Sequence, residues 1–583
     1  MLPLKKTLLR LVWTRLTVAR DVTPFTSREK PAGWLFLRFH PPSCGHPPLS
    51  SRGLTSLLAV FFFAALTGYS FGSGVTVITH GYNSDVNGWI TGMADAVPEY
   101  PGFPGTNFTI YKIALTTDGM GNYSYQASRT DGVAPFVSDS GEIIVKLDWS
   151  QMAGGSGTYN LSTSNVAWAA TFALLQTNAI AELGGHALVE LPLHLVGHSR
   201  GGSLMAELSR LLGTNGIWVD HLTTLDPHPL NNDGNFDFFF PGVVDAPAKH
   251  VYANVLFSDD YWQKLGSGVV DPDGEAVFGA YNRQLTSLPG GYNNVSSFSP
   301  NHSNVHLWYH GTISLTTPTS DTEASITNTE RQAWWTGYEQ QGTNTGFEYS
   351  LIGGGNRLSP DQPVGPGYPA IVDGYNQWWD FGAGTSSNRT PISSSTGEWP
   401  NIIKFNLTGT NVVTAGNAVI AKFYYQYGGG FSNVGFQVYL DPDGNPFNSN
   451  ATLVLQGSLP NTGLSSVYAV TTNFLTSTVG PGTYKLYATI SDGLLTRYLY
   501  APELVQVIPG SQAPILDIAL LSGTNYAIGV NGAPGQTVAL QISTDLHNWL
   551  PIATNVLTST RWVYTNAGPA AGAALFYRAV VGP

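Results

Sequence analysis

A chain of 583 residues is long enough for about three or four domains with substantial cores. Charged residues make up only 11% and the formal charge is −12, but residues 1–53 hold nine Lys or Arg against two acids, so the remainder has 17 basic and 36 acidic side chains and a net charge of −19. Such a body repels a phosphate backbone, which excludes nucleic acid as a partner, and the lone cysteine, Cys44, excludes a disulfide framework or a Cys-based zinc site from residue 74 onward.

In chain order, the first signal is "RGLTSLLAVFFFAALTGYSFGSG" at 52–74. An arginine, an apolar run of about 13 residues and then small residues have the layout of a signal peptide, too short for a comfortable membrane span. Residues 1–73 are therefore expected to be a leader with its signal peptide, and the mature protein secreted or held in the cell envelope. A buried strand or a single anchor helix is the plainer alternative.

Residues 74–345 read as alternating strands and helices. "VTVIT" (75–79) is strand-like, and Val86, Trp89, Ile90, Met93, Ala94 and Val97 recur at helical spacing behind the candidate cap Asp85. "EIIVKLDW" (142–149) predicts a strand and 165–183 a helix ended by Gly184 and Gly185. Then follow "LHLV", a glycine turn, the helix "GGSLMAELSRLL", and the strands 221–226 and 251–257. This alternation predicts a mainly parallel sheet with helices on both faces.

Residues 346–398 are rich in Gly, Pro and Ser and read as a linker. Short alternating runs across 399–509 predict an Ig-like β-sandwich, and 514–583 a small C-terminal β domain. "LDPDGNPFNSN" places Asp441, Asp443 and Asn445 at alternate positions, a weak calcium set. An Asp-Gly hairpin turn is the favoured reading, because no bidentate glutamate closes the loop. "NNDGNFDFFF" (231–240) fits a calcium loop, part of a lid or plain packing.

The chemistry centres on "LHLVGHSRGG". Ser199 lies in Gly197-His198-Ser199-Arg200-Gly201, between a predicted strand and a predicted helix. A serine there sits on a strained turn, with glycines keeping neighbouring side chains away. It needs a base, an acid that orients the base, and donors for a developing oxyanion. Asp226 in "TTLDPHP" is the candidate acid, against the plainer role of capping a turn before Pro227. His302 in "SPNHSNVHLWYHGTI" is the candidate base. His306 and His310 share its helical face but lie in the helix interior, where a satisfied surface histidine is the ordinary reading. The backbone N–H of Tyr82 in "ITHGYNSD" and that of Arg200 are the oxyanion candidates, with the Arg200 side chain expected to point to solvent.

Together "VITHGYNSDVNGW", "VKLDWS", "LHLVGHSRGG", "LDPHP" and "NHSNVHLWYHGTI" resemble the pancreatic-lipase family of α/β-hydrolases over about residues 74–315. The resemblance implies an α/β-hydrolase fold followed by all-β sandwich modules, and it selects the same residues: Ser199, Asp226 and His302, with Tyr82 at the oxyanion position. Leucine usually stands where this chain has Arg200, and the family's cysteines are missing. The expected function is a secreted serine hydrolase cleaving carboxylic esters, of lipase or esterase type. A phospholipase or polyester depolymerase is the alternative within enzymes. A surface adhesion or carbohydrate-binding protein with a vestigial hydrolase domain is the alternative outside them. Such chemistry needs no cofactor, calcium being at most structural. The expected partners are an ester or lipid substrate and, through the C-terminal β modules, a cell surface or polymer.

Overall fold

The computed structural model describes residues 73–581 except 101–106, 136–140, 234–241, 267–271, 288–300, 315–318, 335–345, 351–362, 366–367, 370–388, 393–397, 465, 511–512, 523–524 and 568–573. The leader and signal segment, and most of the 231–240 stretch, lie outside the described residues.

One eight-stranded sheet carries the candidate residues. Its strands are β1 (Val75–Thr79), β2 (Thr109–Thr117), β3 (Tyr123–Gly132), β4 (Ile143–Asp148), β5 (Leu193–His198), β6 (Val219–Leu225), β7 (Val255–Trp262) and β8 (Tyr281–Gln284), in the order β3-β2-β4-β1-β5-β6-β7-β8. Every pairing is parallel except the β2–β3 hairpin at one edge. The central strands β1, β4, β5 and β6 are buried along their whole length, as strands of a parallel sheet covered on both faces are.

Helices α1 (Trp89–Ala96), α2 (Thr163–Leu175), α3 (Arg200–Thr214), α4 (Asn301–Ile313) and α5 (Asn328–Trp334) accompany this sheet. Two apolar clusters include its core: one holds Val77, Val145, Leu195 and the buried faces of α2 and α3, the other Ile78, Ile144, Val196 and the faces of α1 and α4. Some boundaries differ from expectation. Asp85 does not cap α1 but accepts the Asn87 N–H at 2.7 Å in a turn before it, and Gly88 is the cap residue. Helix α2 ends at Leu175, where polar Gln176-Thr177-Asn178 begin. Gly184, at φ +60°, closes only a separate short turn. The alternation read from the sequence does not include the β2–β3 hairpin.

Residues 401–508 form a sandwich of a three-stranded and a five-stranded sheet with its own apolar core, and 515–581 form two further three-stranded sheets. Strands make up 43% and helices 17% of the described structure, so the molecule is mainly β. The fold class expected from the sequence, α/β-hydrolase, is corrected on this count. The physical reason lies in the chain beyond residue 345, which adds strands and, among the described residues, no helix.

Candidate functional site

The carboxyl ends of β1, β4, β5 and β6 lie side by side, so the loops that follow them converge on one edge of the sheet. A crevice at that edge is where open parallel sheets place ligands. Ser199 is the residue between β5 and α3, with φ +60° and ψ −129°, a conformation that L-residues avoid unless the surroundings enforce it. Its N–H donates to Leu225 O at 2.9 Å, which ties it to the end of β6.

Glycine is required around this turn. A Cβ at Gly197 would lie 2.1 Å from Gly201 O, and one at Gly201 would lie 2.5 Å from His80 O. Gly81 packs directly on the serine: a Cβ there would stand 2.7 Å from Ser199 Cβ. Trp149 anchors the 80–82 loop, stacking on His80 at 5.3 Å and donating its ring N–H to His80 O at 3.1 Å. Tyr82 follows directly, and the amide of Arg200 opens α3 on the other side of Ser199.

Asp226, one residue beyond β6, is fully buried and at φ +46°. Its carboxylate accepts the Gln263 N–H at 2.8 Å and the Gln263 side-chain amide at 2.9 Å, and His302 Nδ1 lies 2.6 Å from Oδ2. With Nδ1 donating to the carboxylate, His302 Nε2 is left as the acceptor. The His302 ring lies 4.6 Å from that of His198, and its carbonyl is 2.9 Å from His198 Nε2. His302 thus packs on the residue that precedes Ser199. It belongs to the first turn of α4 rather than to a loop before it. Gln263, which holds the acid from both sides, carries no sequence signal, because it lies 37 residues from Asp226.

His306 and His310 are buried rather than at the surface. His306 stacks on Trp89 at 4.2 Å, with Nδ1 3.1 Å from Asp321 and Nε2 3.7 Å from Glu323. Burial alone would lower its pKa, but the two carboxylates outweigh that and push it up to about 9. His310, with less compensation, is pulled by burial down to about 4. His198, His306 and Glu323 bring one ligand atom each within 4.8 Å of one another, but the imidazole of His306 already balances two carboxylates.

The Arg200 side chain overturns the expectation of a solvent-facing group. It is fully buried, forked onto Asp245 at 2.7 and 2.8 Å, and its remaining N–H groups reach Ala153 O, Asn160 Oδ1 and Leu161 O. Asp245 also accepts the N–H groups of Thr163 and Leu230. At the weak calcium set, Asp441 accepts from the amides of Asp443 and Gly444 and from the Tyr500 hydroxyl. Asp443 accepts from Asn448 and Asn450, and Asn445 donates to Pro135 O.

No family model matches this chain, and no curated protein matches it. Among solved structures it is similar to a CARDB domain of a Pyrococcus furiosus protein, solved with di-metal ions, at 18% identity and a TM-score of 0.15, over 20% of this chain and all of that one. It is also similar to red sea bream transglutaminase, at 8% identity and a TM-score of 0.13, over 33% of this chain and about a third of the enzyme's length. Neither is a lipase, and likenesses this slight carry no argument about activity. The assignment to the pancreatic-lipase family is corrected accordingly, and no family stands in its place.

Proposed function

We propose that the chain is a serine hydrolase acting on carboxylic esters. One observation carries the reading: a serine held at φ +60° at the end of a parallel strand, whose preceding residue packs on an imidazole paired at 2.6 Å with a buried carboxylate. In this reading Ser199 Oγ attacks the ester carbonyl and His302 Nε2 takes its proton. Asp226 fixes the tautomer of His302 and stabilises the imidazolium. The amides of Tyr82 and Arg200 receive the oxyanion, and water then releases the acyl group.

Two measurements test it. An organophosphonate should label wild-type protein at Ser199, and Ser199→Ala should abolish ester hydrolysis with the thermal unfolding midpoint unchanged. Residual turnover above roughly a thousandth of wild type would assign the chemistry to another nucleophile.

A further inference from the structure

We propose that the ester taken by this site is borne on a carbohydrate, an O-acylated sugar or oligosaccharide rather than a lipid; this rests on the ester-hydrolase reading above. Beside the 80–85 loop lies a groove of about 660 Å³, within the roughly 300–1,000 Å³ usual for small-molecule sites. Its walls come from the loops after β1 and β4 and from the segment beyond α4. They present Asn83, Asn87, Gln151, Ser156, Thr158 and Thr322, with the carboxylates of Asp85 and Glu323. Among the described residues, no apolar side chain lines it.

The position ties the groove to the chemistry. Asn83 stands two residues past Gly81, which abuts Ser199, and its Oδ1 accepts the Ser156 N–H at 2.7 Å, joining the two walls. Glu323 reaches from the groove to His306, one helical turn beyond His302. An acyl chain laid here would find no apolar side chain to pack against and would strip water from amides and hydroxyls without replacing it. A sugar hydroxyl both donates and accepts, as do the amides and hydroxyls of the wall.

A second feature continues from the groove. The β2–β3 turn packs on Tyr159, next to Thr158, since a Cβ at Gly119 would lie 2.6 Å from that ring. From this turn β3 presents Tyr123 and Tyr125 against Trp168 and Phe172 of α2, with ring separations of 5.8 and 6.0 Å. Trp168 and Phe172 lie nearly parallel, at 9°, and are 56% and 48% exposed. Flat, exposed rings in a row suit the apolar faces of successive sugar rings, and exposed apolar patches of this kind mark binding sites.

In the reaction the Ser199 Oγ–acyl carbon bond forms and the acyl carbon–sugar oxygen bond breaks. The proton taken from Ser199 passes through His302 to the sugar oxygen. Water then cleaves the acyl-enzyme, so a sugar alcohol and a carboxylic acid leave.

The test compares 4-nitrophenyl acetate, 4-nitrophenyl octanoate, an acetylated methyl glycoside and an acetylated oligosaccharide. Variants Asn87→Leu/Thr158→Leu and Trp168→Ala change exposed side chains, which keeps folding out of the outcome. The double variant should lose at least about tenfold in kcat/KM on both acetylated sugars while 4-nitrophenyl acetate stays within about twofold. Trp168→Ala should raise KM for the oligosaccharide and leave the monosaccharide alone. Octanoate turned over faster than the acetylated sugars, or equal losses on sugar and nitrophenyl esters, would overturn the carbohydrate assignment while leaving the hydrolase intact. Absence of Ser199-dependent turnover on all four substrates would overturn both.

Discussion

Three histidines lie on one face of α4, and their surroundings give them three different chemistries. His302 faces Asp226, His306 faces Asp321 and Glu323, and His310 is buried with the weakest compensation. If the members of a triad act as one unit, His302→Ala should cost about as much activity as Ser199→Ala on 4-nitrophenyl acetate. His306 should instead reveal itself in stability. Its folded pKa of about 9 lies above the ordinary 6.5, so its ion pairs stabilise fully below about pH 6.5 and fade as pH rises through 9. Glu323, held down to about 2 chiefly by His306 against the effect of burial, keeps its share above pH 4.5 and loses it only toward pH 2. The unfolding midpoint of wild type minus that of His306→Gln should therefore shrink between pH 6.5 and 9.5. A constant difference across that window would show that His306 is neutral in the fold.

At the scale of elements, the turn between β5 and α3 works only because backbone touches backbone on both sides. Gly201→Ala would drive a methyl to 2.5 Å from His80 O and displace the 80–82 loop. Activity should fall by orders of magnitude, with a lowered unfolding midpoint. The start of α3 is further fixed by Arg200, whose fork on Asp245 ties together the 153–161 loop, the N-terminus of α2 and the 230 loop. Arg200→Ala would leave Asp245 buried without its cation, a loss of about 3–5 kcal/mol, seen as a lower denaturant midpoint at unchanged slope.

The glycines, Ser199 and the strand before them could be read from sequence because a strand, a turn and a helix are local and their residues adjacent. Arg200 could not be, since its partner stands 45 positions away, and an arginine after a nucleophile-like serine looks like any surface arginine until Asp245 is placed. Trp168 and Phe172 are a related case: a helical periodicity marks them as apolar, but only the packing of α2 over β3 shows that this face is open to solvent.

Across the whole molecule, a buried seam joins the eight-stranded sheet to the 401–508 sandwich. Trp218 donates its ring N–H to Gln426 at 2.7 Å, Asn401 holds Trp218 N–H and Gly216 O, and Arg497 reaches Trp218 O and Asp220. Asp220 also accepts the first N–H of β5, the strand that leads to Ser199. Burial raises its pKa to about 6 despite Arg497. The sequence suggests that a chain cut between 345 and 400 keeps soluble activity on short esters. The seam adds a cost in stability: a chain ending at residue 398 should unfold at lower temperature than the full chain, because Trp218 is bared and Asp220 loses its cation. In the full chain, Arg497→Ala should cost about 3–5 kcal/mol for the same reason, measured by denaturant unfolding at pH 7.

The sequence by itself singled out Ser199 as a candidate nucleophile and marked the strand, turn and helix around it, β5 and α3, because those depend on neighbours within a few positions. The α/β-hydrolase class read from the helix–strand alternation of residues 74–345 does not hold for the molecule, which is mainly β. Only the tertiary structure decided which histidine meets Asp226, that Arg200 is buried, that the groove is polar, and that the sandwich bears on β5. Each of these depends on side chains tens to hundreds of positions apart, and burial sets their chemistry by removing the water that would otherwise satisfy them.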